Sequence, residues 1–188
     1  MKLIRLSSTI KATLAGTGSC LFNFKENNIL PKPDPKFMLL AIAEARKNLI
    51  SGEGGPFGAC VVKDNKVIAM ARNTVLSSND ATCHAEVNAI RKASLKLKDY
   101  YLSGCVIYST TEPCPMCFGA IHWAKIDAVY FGTAINDVKE LGFDELRLSC
   151  KKIKSAGKSP VKVVSGFLRK ECFKLLKDWN KLENKQVY

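Results

Sequence analysis

Two short motifs constrain this 188-residue chain more than any other feature of it. The sequence His-Ala-Glu occupies positions 84–86, and Pro-Cys-Pro-Met-Cys occupies positions 113–117. An imidazole nitrogen and two thiolates are ligands that Zn²⁺ favours, and a Cys-x-x-Cys turn that enters a helix aims both sulfur atoms at one point. Three protein ligands leave the fourth tetrahedral position open for water, as in catalytic zinc sites. The sequence therefore predicts a zinc ion bound by His84, Cys114 and Cys117.

Glu86 follows the predicted histidine ligand closely and is not required as a ligand itself. A carboxylate in that place can take a proton from the water molecule and pass protons to a substrate. The two motifs thus predict Glu86 as the catalytic acid and base.

A Cys-x-x-Cys pair on its own has other interpretations, namely a redox dithiol, half of a structural zinc site or two core cysteines. A redox pair needs no His-x-Glu motif, and a four-ligand structural site needs a second close pair of cysteines. The other cysteines of the chain form no such pair. Cys83 is adjacent to His84, but on a helix its side chain would point elsewhere. The order of the three ligands, Glu86 and the proline before Cys114 favours a catalytic zinc site over these alternatives.

The composition is that of a globular protein with one domain, because 47% of the residues are hydrophobic and 24% are charged. No apolar run approaches the roughly 20 residues of a membrane span, so no membrane partner is expected. The scattered cysteines favour a reducing compartment and a cytoplasmic location. The net charge of +12 is typical of a solvated lysine face, and it leaves a nucleic-acid partner open.

The first part of the chain differs from the rest. Residues 1–28 contain four basic residues and several Ser and Thr, and Glu26 is the first acid. This pattern predicts an N-terminal extension over residues 1–34, either a floppy segment or a transit peptide that would direct the protein to mitochondria or another organelle. The proline-rich stretch at 31–35 then opens a domain that extends over residues 35–188.

Apolar periodicity predicts four helices, which cover 37–50, 82–97, 117 to about 125, and 168–182. The first has Leu39, Ile42 and Ile50 on its expected inner face. The second begins with Asp80 or Thr82 as its N-cap, which places His84 and Glu86 in its first turn. Residues 73–80 are expected to be a polar loop, the stretch that follows residue 132 a polar segment, and residues 155–160 a loop.

Shorter apolar runs predict five strands, which cover 57–62, 67–71, 105–109, 128–132 and 161–164. The first two flank a hairpin turn at 63–66. Strand 105–109, the helix after it and strand 128–132 form a parallel crossover, so the two motif cysteines lie at the carboxyl end of a strand, where ligands bind to open sheets. The predicted fold is α/β, with three α-β-α layers around a central five-stranded mixed sheet.

Several blocks of the sequence resemble a known superfamily, and they lie at 54–59, 78–80, 84–91, 112–121 and 142–144. From about residue 35 to residue 188 the chain resembles proteins with the cytidine deaminase-like fold. Within that group it is most similar to bacterial-type guanine deaminases and plant guanosine deaminases. The central blocks are shared with tRNA adenosine deaminases, whereas the Gly-Phe-Asp segment at 142–144 and the terminal Tyr188 are typical of guanine deaminases.

This resemblance implies an activity, namely zinc-dependent hydrolytic deamination of guanine to xanthine and ammonia. Guanosine deamination and adenosine-to-inosine deamination in tRNA are the alternatives. The resemblance also implies a small-molecule purine substrate and a homodimer.

The resemblance further implies substrate-binding residues. The side chain of Asn73 and the backbone of Ala85 are expected to bind the base, with Tyr188 near it. The family usually has Gly-Phe-Asp-Asp where this chain ends the segment with Glu145, so Asp144 and Glu145 are both candidates for the acid that faces the base. Phe57 is a candidate pocket wall. Trp123 is either another wall or a helix-packing or dimer contact.

Overall fold

The computed structural model describes residues 32–188. The predicted N-terminal extension, 1–34, lies almost wholly outside these residues, and the domain boundary stays a prediction. The first described helix begins at Pro35, directly after Asp34, whose side chain accepts a hydrogen bond from the Lys36 amide at 2.9 Å. Proline at the first helical position and an aspartate cap are a favourable helix start.

Five strands form one sheet within residues 32–188, and they are β1 (Gly58–Lys63), β2 (Lys66–Arg72), β3 (Cys105–Thr111), β4 (Ala128–Thr133) and β5 (Lys162–Val164). Their order across the sheet is β2-β1-β3-β4-β5. The pairs β2–β1 and β1–β3 are antiparallel, whereas β3–β4 and β4–β5 are parallel. The mixed five-stranded sheet and the parallel crossover from β3 to β4 are therefore confirmed.

The β1–β2 hairpin turns at Asp64 and Asn65, as predicted. Both residues have positive φ, at 49° and 58°. Two successive positive φ values define the tight hairpin turn whose twist matches that of the flanking strands, and Asp and Asn tolerate it well.

Eight helices surround the sheet in the described residues, and they are α1 (Pro35–Arg46), α2 (Asn48–Ser51), α3 (Val75–Ser78), α4 (Ala85–Leu97), α5 (Pro115–Trp123), α6 (Ile135–Lys139), α7 (Cys150–Ala156) and α8 (Arg169–Asn180). On one face of the sheet, Ile107 and Val129 pack in a buried cluster with residues of α4 and α5. On the other face, Tyr108 contacts Phe37 of α1, and Gly132 lies against α8. This arrangement confirms the three-layer α-β-α fold.

The predicted inner face of the first helix is wrong for Leu39 and Ile50 and confirmed for Ile42, which is buried. Leu39 is 50% exposed and Ile50 is 93% exposed, whereas Met38 and Ala41 are fully buried. Apolar residues surround this helix on most sides, so their periodicity does not select one face. The small Ala41 instead allows a close approach to the sheet: a Cβ on Gly58 of β1 would lie 2.2 Å from the Ala41 carbonyl oxygen. The helix also ends earlier than predicted, and α2 follows as a separate turn closed by Gly52.

The predicted start of the second long helix is also wrong. The oxygen of Asp80 accepts hydrogen bonds from the amide and hydroxyl of Thr82, both at 2.7 Å, so it closes a local turn and does not cap a helix. Helix α4 begins at Ala85, and its N-cap is His84, which has extended backbone angles. His84 therefore precedes the helix, and Glu86 lies in its first turn.

Three short helices occur where a polar loop and a polar segment were predicted. They are α3, α6 and α7, and none exceeds seven residues. Helices this short show too few turns for an apolar period to be recognised. In residues 32–188, no helix combines the length and apolarity needed to cross a membrane.

Candidate zinc centre and active site

Three side chains converge at the carboxyl end of β3. The Nδ1 atom of His84 lies 3.7 Å from the sulfur of Cys114 and 3.5 Å from the sulfur of Cys117. All three ligand atoms lie within 4.8 Å of one another. Zn–S bonds of about 2.3 Å and Zn–N bonds of about 2.05 Å at tetrahedral angles place sulfur and nitrogen about 3.6 Å apart. The spacing therefore fits one zinc ion, with these residues as its protein ligands.

Two helix starts hold the ligands in place. Cys114 is the N-cap of α5, Pro115 is its first residue, and Cys117 lies in its first turn. His84 is the N-cap of α4. The positive ends of both helix dipoles therefore point at the ligands, which favours thiolate over thiol.

The two cysteines differ in their affinity for a proton. A hydrogen bond from Cys117 is the main cause that lowers the pKa of Cys114 to about 4, and the neighbouring His84 lowers it further against the opposing effect of burial. The same hydrogen bond, together with burial, raises the pKa of Cys117. One thiolate is therefore ready to bind a metal ion, and the second proton leaves when the ion binds.

Glu86 is buried beside the ligands, with 6% of its surface exposed. Its Oε1 atom accepts a hydrogen bond of 3.0 Å from the hydroxyl of Ser109 on β3, and its Oε2 atom lies 3.5 Å from the sulfur of Cys117. Burial raises the pKa of Glu86, and the negative charge of Cys114 adds to this effect. One oxygen is thus fixed, and the other faces the ligands with a raised proton affinity, as a group that exchanges protons there requires.

A cavity of about 100 Å³ adjoins the ligand cluster, and it is lined by Phe57, His84, Phe143, Asp144, Glu145 and Tyr188. Four of the predicted substrate-binding residues are among them. Asp144 is exposed, whereas Glu145 is half-buried. Burial is the main cause that raises the pKa of Glu145, and the negative charge of Cys114 raises it further. Of the two candidate acids, Glu145 is therefore the one that faces inward.

The C-terminal residue closes one side of this cavity. The phenol oxygen of Tyr188 accepts a hydrogen bond of 3.2 Å from the Gly55 amide, and its ring lies edge-on against Phe143, with 5.6 Å between the ring centres. Burial is the main cause that raises the pKa of Tyr188. The tail of the chain thus folds back onto its own active site with a neutral phenol.

Asn73 is fully buried next to this closure. Its Oδ1 atom accepts a hydrogen bond from the Val75 amide at 3.0 Å, whereas its Nδ2 atom has no hydrogen-bond partner among residues 32–188. A buried donor without a partner is costly, and this one lies beside the Tyr188 phenol, whose pKa Asn73 acts to lower against the larger effect of burial. Gly54 makes the arrangement possible, because a Cβ there would lie 2.2 Å from Oδ1.

Two residues that position the site were not predicted. One is Ser109, which holds Glu86. The other is Asn48, whose side-chain nitrogen donates to the carbonyl oxygens of Gly55 and Asn73, both at 2.8 Å. A single polar residue in an apolar strand or at a helix start has no recognisable pattern, so neither residue could be predicted from the sequence.

The remaining candidates lie as follows. Ala85 is fully buried at the start of α4, between His84 and Glu86. Cys83 donates to Asp80, 3.4 Å away, and it is not part of the ligand cluster, as expected. Trp123 is 74% exposed and does not line the cavity, so neither a pocket wall nor helix packing describes it.

The family of the chain follows from a match to a known domain. The family described as cytidine and deoxycytidylate deaminase zinc-binding region matches residues 31–133, and the chain belongs to this family. It is a zinc-dependent deaminase. The zinc prediction and the resemblance to deaminases are thereby confirmed.

Two curated relatives are similar in sequence. Over 109 residues the chain is 49% identical to the guanine deaminase of Bacillus subtilis, covering 58% of this chain and 70% of that protein. Over 149 residues it is 36% identical to a tRNA-specific adenosine deaminase of Buchnera aphidicola, covering 79% of this chain and 94% of that protein.

Two solved structures are similar to this chain in fold. The guanine deaminase of Nitrosomonas europaea superposes with a TM-score of 0.72 at 26% identity, and the match covers 94% of this chain and all of that one. A protein solved in complex with 8-azaguanine superposes with a TM-score of 0.70 at 30% identity, covering 77% of this chain and 83% of that one.

Proposed function

We propose that this chain hydrolyses guanine to xanthine and ammonia. The observation that carries the proposal is the closure of the cavity beside His84 by Tyr188 and Glu145 of the same chain. This closure leaves space for a flat base next to the metal ligands. The relatives that are guanine deaminases, and the neighbour solved with 8-azaguanine, support a purine of guanine type.

The residues of the cavity complement the polar groups of guanine. Guanine carries neighbouring N–H donors on its ring and on the amino group that is removed, and the inward carboxylate of Glu145 can accept from them. The free Nδ2 donor of Asn73 can bind a ring acceptor. Phe57 and Phe143, whose ring centres are 5.1 Å apart, supply an apolar wall beside the base.

The reaction needs a nucleophile and a carrier for protons. When bound by His84, Cys114 and Cys117, zinc lowers the pKa of a water molecule toward neutrality. The Oε2 atom of Glu86 would carry both protons of the water molecule in two successive transfers. The first proton goes to the ring nitrogen on attack at the amino-bearing carbon, and the second goes to the departing amine, which leaves as ammonia. Ser109 holds the other oxygen, so the same carboxylate can serve both steps.

The deamination of adenosine in tRNA is a second candidate. The net charge of +12 and the similarity to the Buchnera enzyme favour it. Against it stands the terminal tyrosine in the cavity, because a flipped-out nucleotide also brings a ribose and phosphates into the site.

We infer in addition that two copies associate through α5. Its outer side carries Trp123, 74% exposed, and Met116, 38% exposed. The two residues are seven positions apart, about two turns along the helix, and a large exposed aromatic residue on the same helix face as a further apolar side chain is typical of an interface. Light scattering of the purified protein tests this inference.

A substrate panel tests the proposed activity. The zinc-loaded protein is incubated separately with guanine, guanosine, adenosine, cytosine and tRNA, and ammonia and the products are quantified. We expect xanthine and ammonia in equal amounts from guanine, with much slower turnover of the nucleosides. Deamination of tRNA without any turnover of guanine would contradict the proposal and favour the second candidate.

A further inference from the structure

The motif residue Glu112 takes no part in metal binding or in the cavity. Its backbone continues the sheet, since its amide donates to the carbonyl oxygen of Thr133 at 2.8 Å. Its side chain reaches across to two other segments. The Oε1 atom accepts from the Cys150 amide at 2.9 Å, and the Oε2 atom accepts from the Ile135 amide at 3.4 Å. Those amides belong to the first residues of α7 and α6, where a carboxylate is favoured by the helix dipole.

Cys150 makes a second connection to the same turn. It is fully buried, and its sulfur donates to the Pro113 carbonyl oxygen at 3.2 Å. Burial, together with the negative charge of Glu112, raises the pKa of Cys150, so its thiol keeps the proton that it donates. The turn that carries the metal ligand Cys114 is therefore joined to the start of α7 through both the amide and the thiol of one residue.

The segment between α6 and α7 contributes residues that line the cavity. It spans residues 140–149 and includes Phe143 and Glu145. Near its beginning, the ring of Phe143 packs against Trp179 of α8, with 5.1 Å between the ring centres. At its end, Ser149 directly precedes the residue held by Glu112. Glu145 thus lies between the apolar contact of Phe143 with Trp179 and the polar contact of Cys150 with Glu112.

We propose that Glu112 and Cys150 are positioning residues, which form a latch that fixes Glu145 relative to the metal ligands. Glu112 and Pro113 directly precede the metal ligand Cys114. The turn that carries this ligand therefore also holds the end of the segment that carries Glu145. The latch is the Glu112 carboxylate, the Pro113 carbonyl and the amide and thiol of Cys150. The role of Glu145 toward the substrate rests on the proposed function, whereas the latch itself does not.

Substitutions that remove single bonds test the latch. Glu112→Gln keeps the size of the side chain but presents an NH₂ group to one of the two amides. Cys150→Ala removes the sulfur donor, and Cys150→Ser restores a hydroxyl donor. Glu140→Gln is the matched control, because it makes the same change in charge on an exposed side chain of the same segment.

Four quantities are measured for each variant, namely the zinc content, the hydrogen-exchange protection of the Cys150 amide, and kcat and KM for guanine. We expect Glu112→Gln to keep one zinc per chain, lose protection at Cys150 and raise KM roughly ten-fold with a much smaller change in kcat. Cys150→Ala should raise KM in the same direction, and Cys150→Ser and Glu140→Gln should resemble the wild type.

An unchanged KM with lost protection would overturn the proposal, since the latch would then hold only the helix start. Loss of zinc from Glu112→Gln would also overturn it, because Glu112 would then serve the metal turn alone. A wild type without turnover of guanine would refute the proposed function instead. The exchange measurement would still decide whether the latch exists, and KM would be measured on whichever purine is deaminated.

Discussion

At the scale of single residues, the placement of the Glu86 carboxylate is what the chemistry depends on. Ser109 is the residue that fixes one of its oxygens, through a buried hydrogen bond of 3.0 Å. The other oxygen faces the ligand cluster. A carboxylate free to rotate would spend part of its time with neither oxygen in position, and misplaced catalytic groups lose rate steeply.

Ser109→Ala should therefore lower kcat for guanine by roughly ten-fold, with little change in KM and full zinc content. Ser109→Thr, which keeps the hydroxyl, should recover most of the lost rate and serves as the control. Steady-state kinetics on both variants, with metal analysis of the same samples, provide the measurement. If Ser109→Ala turned over guanine at the wild-type rate, the hydroxyl would have no part in orienting Glu86.

The ligands and Glu86 could be read from the sequence, because each belongs to a motif whose spacing is dictated by metal geometry. The distinction between Asp144 and Glu145 could not. Both are acids in the same segment and both line the cavity, and only the path of the chain past Phe143 leaves the Glu145 side chain half-buried and the Asp144 side chain exposed. The glutamate in place of the usual aspartate reaches further inward, so its longer side chain is compatible with the predicted position near the base.

At the scale of elements, an ion-pair network joins α1 to β2. The carboxylate of Glu44 accepts hydrogen bonds from Lys47 and Arg72, and Arg72 also pairs with Glu53 at 2.6 Å. Burial alone would raise the pKa of Glu44, but the two hydrogen bonds outweigh it and lower the pKa. A lowered pKa in the folded state means that folding favours the ionised form.

Glu44→Gln should lower the free energy of unfolding by on the order of 1–3 kcal/mol at pH 7. The difference from wild type should persist above the unfolded-state pKa of about 4.3 and disappear as the pH falls through the lower folded-state pKa. Denaturant unfolding from pH 7 into the acid range measures it. Glu140→Gln is the control, because it makes the same change on an exposed side chain outside this network and should have a small effect. A difference that stays constant into the acid range would contradict this account.

The C-terminal segment is the element that completes the cavity. Deletion of residues 186–188 should leave zinc content and thermal unfolding unchanged, while kcat/KM for guanine falls by roughly ten-fold, as expected for the loss of one positioning contact. Tyr188→Phe separates the ring from the hydroxyl: it keeps the packing on Phe143 and loses the acceptor for the Gly55 amide. If the truncated enzyme matched the full-length one, Tyr188 would have no function in the site.

Element positions were predictable where a period or a turn left a clear pattern. In α8, Cys172, Leu176 and Trp179 recur at the spacing of one helix face, and all three are buried. The inner face of α1 was not predictable, since apolar residues lie around most of that helix. The start of α4 was predicted too early because aspartate is a common N-cap residue. In the structure, Asp80 instead accepts a hydrogen bond from the Thr82 amide within a local turn.

At the scale of the whole molecule, the strands of the sheet are easier to predict from the sequence than the short helices and loops around it. Strands β3 and β4 are buried along their whole length because helices cover both of their faces, and the apolar residues at their starts are recognisable. The short helices α6 and α7 have local caps in Asp137 and Ser149, and the carboxylate of Glu112 adds a long-range partner to the first amide of each. Contacts between residues distant in sequence leave no local pattern, and the stretch after β4 was therefore predicted only as a polar segment.

The central claim is that Glu86 carries protons for the zinc-dependent hydrolysis of guanine. The most direct test compares wild type with Glu86→Gln at matched zinc content, following ammonia and xanthine released from guanine. The wild type should release both in equal amounts, and the variant should keep its zinc and lose turnover by about 10²–10⁴-fold. A variant that binds zinc and deaminates guanine at a near-normal rate would contradict the claim.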